Sequence, residues 1–150
     1  MSEAAAARHP DPRVARVVAL YETLVPADLP ALRGIYADDA RFKDPFNQVQ
    51  GVAAIARIFS HMFRTLDGPR FQVCAIAADG DDLFLTWDFT FRTRGAGAAA
   101  MAIHGASHLR FDAQGQVALH RDYWDAAEEL YEKLPVLGAL MRWLKKRAGG

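Results

Sequence analysis

IYADDARFKDPFN, Ile35–Asn47, is the stretch on which the fold turns. It reads as a helix end, an acidic turn at Asp38-Asp39, a short strand over Arg41–Asp44 and an Asp-Pro step at Asp44-Pro45. A residue before proline is held extended, because the ring clashes with an α-region predecessor. Pro45 also removes one backbone N–H that would otherwise solvate a nearby carboxylate. Phe42 shares a strand face with Asp44, and Phe46 follows it. Apolar surface on both sides would desolvate the Asp44 carboxylate and make it a better base. The alternative is that Asp44-Pro45 simply starts a turn.

Working outward, Met1–Pro10 reads as a mobile tail with neither the basic nor the apolar region of a secretory signal. Asp11-Pro12 is an N-cap followed by proline at the first helical position. Val14, Val17, Val18, Tyr21 and Val25 then recur at helical spacing, and Pro26 ends the run. Asp28 caps a second, short helix that points Leu29, Leu32 and Ile35 inward. Gly51 opens a third helix, buried along Val52, Ile55, Ala56, Phe59, Met62, Phe63 and Leu66 and stopped at Asp67-Gly68-Pro69.

Four strands follow: Phe71–Ala78, Leu83–Thr93, Met101–Phe111 and Val117–Trp124. Asp79-Gly80 signals a hairpin. In the second strand Leu83, Leu85, Trp87, Phe89 and Phe91 share one face, and Thr86, Asp88, Thr90 and Arg92 the other. Asp125 caps a last helical segment, within which Pro135 is expected to introduce a break or kink. Its stripe of Leu130, Leu134, Leu137, Leu140, Met141 and Leu144 is expected to be buried as a wall or lid on a cavity rather than on a membrane. Helices, then strands, then helices give an α+β fold with a mostly antiparallel sheet. The expected division is a tail over 1–10, one domain over 11–125 and a helical extension of it over 126–150.

The chain has 150 residues and is 51% hydrophobic, enough for one domain with a real core. Lys+Arg 18 balance Asp+Glu 18, so nothing basic recommends nucleic acid as a partner. The lone Cys74 rules out an intrachain disulfide and fits a reducing compartment. No apolar run reaches membrane-spanning length. A cytoplasmic protein is expected, with no membrane partner.

HRDYWD, His120–Asp125, carries the second candidate group. Alternation puts His120, Asp122 and Trp124 on one face and Arg121 and Tyr123 on the other. His120 and Asp122 are then roughly 7 Å apart along the strand, close enough to serve one pocket. Either that face is solvated, with the two groups satisfying each other or a neighbour, or it lines a site. His104 and His108 lie roughly 13 Å apart on a strand, too far to share one metal ion. No metal or organic cofactor is expected. Gly95–Ala100 leads from strand to strand and is a turn, not a phosphate loop.

These residues together carry a resemblance. From about Val14 to Trp124 the chain resembles the nuclear transport factor 2-like superfamily. YADDARFKDPF is similar to the equivalent stretch of bacterial ketosteroid isomerases. HRDYWD resembles the last strand of SnoaL-like polyketide cyclases. The resemblance implies a cone-shaped α+β barrel, with a curved sheet wrapped around N-terminal helices and an added C-terminal helix. It puts the isomerases' catalytic base on Asp44 and their apolar wall on Trp87 and Phe89, and the cyclases' acid–base carboxylate on Asp122 beside His120. The isomerases' oxyanion tyrosine falls near Leu20, with Tyr21 one position away and turned elsewhere. Their protonated aspartic acid falls on Ser107. Enolate stabilisation is then expected from Ser107 or His120. The Asp-Arg-Asp set of limonene epoxide hydrolases is not matched. Arg121 faces away, and Arg110-Phe111-Asp112 runs into a turn.

The expectation is an isomerase- or cyclase-type enzyme acting on an apolar, cyclic small molecule. Asp44, Asp122 and His120 would be catalytic. Trp87, Phe89, Phe91, Ser107, Leu109 and Trp124 would hold the ligand. A homodimer is expected, joined through the polar outer sheet face. The rival is a non-catalytic module that binds a small ligand or another protein. What separates the two readings is whether Asp44, His120 and Asp122 converge in one enclosed pocket.

Overall fold

A computed structural model describes residues 8–130 and 135–149. Helix α1, Pro12–Thr23, is capped by Asp11, whose carboxylate accepts from the Arg13 N–H at 2.8 Å. Its buried residues are Val14, Ala15, Val17, Val18 and Tyr21, the face that the helical spacing selects. Val25 lies beyond the helix and is exposed. The second helix is a 3-10 segment, Pro26–Gly34, with Pro30 inside it. Proline lacks the N–H that an α-helix would need there, and the tighter turn tolerates the loss.

Strand β1, Tyr36–Lys43, begins earlier than the sequence suggests. Asp38 and Asp39 do not make a turn before it. They lie within the strand, exposed, where its pairing register shifts. A short strand β2, Gln48–Gln50, returns antiparallel to it. Helix α2, Val52–Thr65, starts after Gly51, which adopts φ 97°, a conformation that favours glycine. It buries Val52, Ile55 and Phe59. Strands β3, Asp67–Asp79, β4, Asp82–Arg92, β5, Ala100–Phe111, and β6, Val117–Tyr123, complete a six-stranded sheet.

The sheet order is β2-β1-β6-β5-β4-β3. Only β1 and β6 run parallel, pairing Phe42 with His120 and Lys43 with Arg121. This crossover brings the first strand beside the last, so the two candidate stretches become neighbours. The sheet is curled around the helices but does not close into a barrel. Its concave face carries Leu83, Leu85, Trp87 and Phe91, all buried. The alternation read in β4 therefore holds. On the convex face His104 pairs with Asp88, and His108 sits 2.7 Å from Asp82 and stacks on Phe84.

After β6 comes a single turn, α3, Ala126–Glu129, capped by the Asp125 carboxylate. Helix α4 is Pro135–Ala148. Of the expected break or kink, the described helices show a break: one ends at Glu129 and Pro135 opens the next, where the missing N–H is no loss at a first position. Among the described side chains, the C-terminal stripe expected as a buried wall divides. Leu130 reaches the cavity described below, but Leu140 and Leu144 are 50% and 45% exposed, with Trp143 beside them. The side chains of Leu134, Leu137 and Met141 lie outside the described residues. No described helix is long and apolar enough to cross a membrane.

Candidate functional site

Between the concave sheet face and α2 lies a cavity of about 440 Å³. Most of its wall is apolar: Phe71, Trp87, Phe89 and Phe91 from the sheet, and Ile58, Phe59 and Met62 from α2. Phe71 stacks on Phe89 at 4.4 Å between centroids and meets Trp87 edge-on at 5.4 Å. Such a wall favours an apolar guest, because each buried CH₂ contributes about 0.8 kcal/mol. Trp124 and Phe46 form a second aromatic pair, 5.5 Å apart.

Into this wall β6 brings His120 and Asp122, two residues apart and on one face. His120 is 3% exposed, packed edge-on against Phe42 at 4.8 Å. Its Nε2 lies 2.6 Å from Asp122 Oδ1. The Ser107 hydroxyl donates to the same oxygen at 2.5 Å, and the Trp87 indole N–H donates to Ser107 at 2.8 Å. An indole has only a donor, so Ser107 must accept there and give its own proton to Asp122. With the carboxylate accepting from both sides, His120 carries a proton on Nε2.

The other ring nitrogen faces two tyrosines. Tyr36 Oη is 2.6 Å and Tyr21 Oη 2.9 Å from His120 Nδ1, and the two hydroxyls are 2.5 Å apart. A neutral imidazole nitrogen accepts one hydrogen bond in its plane. With the ring neutral, one phenol donates to Nδ1 and the other to its neighbour's oxygen. Burial pushes the Tyr36 hydroxyl far above its ordinary titration range, and the charge on Asp122 adds to that. Burial likewise raises Tyr21, with Tyr36 and Asp122 contributing. Both phenols keep their protons at neutral pH. Among the described residues no buried side-chain nitrogen or oxygen lacks a partner, so the chain Trp87–Ser107–Asp122–His120–Tyr36–Tyr21 is fully satisfied.

Asp44 also lines the cavity, and both oxygens of its carboxylate are engaged in a turn. Oδ1 accepts from the backbone N–H of Phe46 at 2.7 Å and of Asn47 at 2.6 Å. The Asn47 amide reaches both oxygens at 3.1 Å. The turn reading of Asp44-Pro45 is thus realised in the structure, while the residue still faces the cavity.

Asp44, His120, Asp122, Trp87, Phe89, Phe91, Ser107 and Trp124 all line this one cavity. Leu109 does not. It is fully buried in the core, paired across the ladder with His120. Ser107 is not available to an enolate, because its proton is committed to Asp122. Tyr21 is turned into the site rather than elsewhere. The inward spacing of α1 pointed to that, since Tyr21 continues the Val14, Val17, Val18 face. Tyr36 gave no such signal, as its position depends on the parallel β1–β6 pairing. The described residues contain no cluster of three or more His, Cys, Asp or Glu side chains that could hold a metal.

The family described as "SnoaL-like domain" matches residues 17–120. No curated protein matches the chain. Among solved structures it is similar to a protein with a ketosteroid isomerase-like fold from Catenulispora acidiphila, in complex with trimethylamine. That match has 17% identity and a TM-score of 0.68, and covers 80% of this chain and 90% of the other. An NTF2-like protein from Burkholderia thailandensis is 20% identical with a TM-score of 0.68, covering 90% and 98%. An LEH-like epoxide hydrolase from M. tuberculosis is 16% identical with a TM-score of 0.61, covering 92% and 94%. At these identities the likeness carries the fold alone.

Proposed function

This chain belongs to the SnoaL-like domain family, within the nuclear transport factor 2-like superfamily, and we propose that it moves a proton next to a carbonyl, as an isomerase or polyketide-cyclase-type enzyme. The observation that carries the reading is Asp122. One of its oxygens is fixed by Ser107 and His120, and its side chain lines an apolar cavity. Its Oδ2 would take a proton from the carbon beside a carbonyl. The electron pair of that C–H bond then moves to the carbonyl oxygen, giving an enolate. Return of the proton to another carbon isomerises the ligand. Attack of the enolate on an electrophilic carbon of the same molecule closes a ring.

In this reading His120 holds Asp122 through Nε2–H and steadies its charge. Tyr21 supplies the hydrogen bond to the enolate. With Tyr36 donating to His120 Nδ1, the Tyr21 hydroxyl is surplus to the histidine and can swing to a ligand oxygen. Asp44 shares the acid–base work from its neighbouring position. The ligand would be cyclic and largely apolar, held by Trp87, Phe89, Phe91 and Trp124. The same reading has the protein act as a cytoplasmic homodimer through the convex sheet face, where exposed Phe84 and Tyr123 interrupt a polar surface.

Deuterium exchange tests the chemistry. Cyclic ketones and β-dicarbonyl compounds are incubated with the protein in D₂O, and label beside the carbonyl is followed by NMR. The wild type is expected to speed exchange of a ligand that binds, and Asp122→Asn to lose about a hundredfold or more of that rate. Exchange no faster than in buffer, for compounds shown to bind, would leave a binding module without catalysis.

A further inference from the structure

The parallel pairing of Lys43 with Arg121 makes Asp44 and Asp122 the next residues on two adjacent chain segments. Both line the cavity, and among the described residues no lysine or arginine does. No described lysine or arginine forms an ion pair with either carboxylate. Lys43 and Arg121 instead line a separate surface groove that shares the two aspartates, and the Arg121 guanidinium lies 4.7 Å over the Tyr123 ring. Two like charges at neighbouring positions repel each other. The cavity therefore contains two carboxylates and no described lysine or arginine; the basic side chains in its wall are His61 and His120, the latter held on Asp122 Oδ1.

The rest of the wall points the same way. Aromatic faces carry negative potential and attract cations. Phe71, Phe89 and Trp87 form one aromatic group and Phe46 with Trp124 another. An anionic ligand would meet two carboxylates and several ring faces with no described counter-charge. A purely neutral ligand would gain apolar contact but add no partner to the hydrogen bonds that Asp44 and Asp122 Oδ1 already hold, and would keep water from Asp122 Oδ2, which is costly.

We infer that the cavity takes an organic cation: a tertiary or quaternary ammonium with apolar substituents, its charge set between Asp44, Asp122 and the aromatic walls. This rests on the cavity being the ligand site, as above, but not on any proton transfer. It also deepens that reading. A cationic substrate would bring its own positive charge to an enolate that no described lysine or arginine can stabilise.

The test compares benzyltrimethylammonium with its neutral carbon isostere, neopentylbenzene, by quenching of tryptophan fluorescence at neutral pH. The cation is expected to bind at least about tenfold more tightly, and to weaken as salt is raised. Asp44→Asn and Asp122→Asn should each narrow the gap between the two probes, with thermal unfolding confirming that each variant is folded. The wild-type comparison stands even where a variant fails to fold. Equal or tighter binding of neopentylbenzene overturns the inference, as does failure of both probes to bind. Tight cation binding with no deuterium exchange in any ketone would sustain it while ending the proposed proton transfer. Exchange without preference for the cation would do the reverse.

Discussion

His120 Nε2 and Asp122 Oδ1 stand 2.6 Å apart on one face of β6, across a single intervening residue. Strand pleating alone sets the two residues roughly 7 Å apart along the chain. The contact forms because neither side chain is free to lean elsewhere. Tyr36 and Tyr21 meet the far side of the imidazole, and Ser107 meets the same carboxylate oxygen from β5. The pair is fixed from three neighbouring elements, α1, β1 and β5. That arrangement fixes Asp122 before any ligand arrives, and in the proposed reaction it would orient the base, which is where much of the advantage of an enclosed site lies.

The two tyrosines back each other up, so their removal should not be additive. Tyr36→Phe leaves Tyr21 2.9 Å from Nδ1, and Tyr21→Phe leaves Tyr36 2.6 Å from it. Each single change is expected to cost about 1 kcal/mol, the net value of one hydrogen bond. The double change strands a buried acceptor and should cost more than the sum, by about 1 kcal/mol or more. Urea unfolding of the four proteins measures this. Strict additivity would mean that the tyrosines do not share the histidine.

The raised tyrosines also set how stability responds to alkali. Burial holds both phenols protonated beyond their ordinary value of 10.0, whereas the unfolded chain loses those protons at that pH. Above it the folded state binds more protons than the unfolded state, so stability falls as pH rises. Below it the two groups contribute their full effect and no slope. Urea midpoints from pH 7 to 11 should be flat in this respect at first, then fall by roughly 1 kcal/mol per pH unit for each tyrosine. Tyr21→Phe with Tyr36→Phe should make the alkaline limb shallower. An unchanged limb would show that other groups govern it.

Gly105 faces Trp87 across the β4–β5 ladder. A Cβ on it would fall 2.6 Å from the indole Cζ2, closer than real carbon atoms approach. Gly105→Ala should therefore push the indole aside and break its bond to Ser107, at a cost of about 1–3 kcal/mol. Near-ultraviolet circular dichroism of the tryptophans, together with the melting temperature, reads both effects. A variant with wild-type spectrum and stability would mean that the indole has room to spare.

The sequence by itself determined the elements and their faces. The helical spacing of Val14, Val17, Val18 and Tyr21 marked the buried side of α1. The two-residue alternation of β4 put Trp87, Phe89 and Phe91 on one face, which only the family resemblance made a cavity wall, and that of β6 marked His120 and Asp122 as neighbours. These are local matters, governed by 3.6-fold and two-fold repeats that any window of residues displays. The 3-10 geometry of Pro26–Gly34 and the early start of β1 escaped because proline and short acidic stretches are compatible with several backbone paths. Only the tertiary structure decided which side chains complete the site. Tyr21 and Tyr36 reach His120 from 99 and 84 residues away. Asp44 comes beside Asp122 through a parallel pairing of the first strand with the last. Leu109 goes to the core although it shares an alternation with Ser107, because a curled sheet turns one end of a strand into the cavity and the other under the helices. Partners that far apart in sequence meet only once the whole sheet has formed, and no local pattern encodes that meeting.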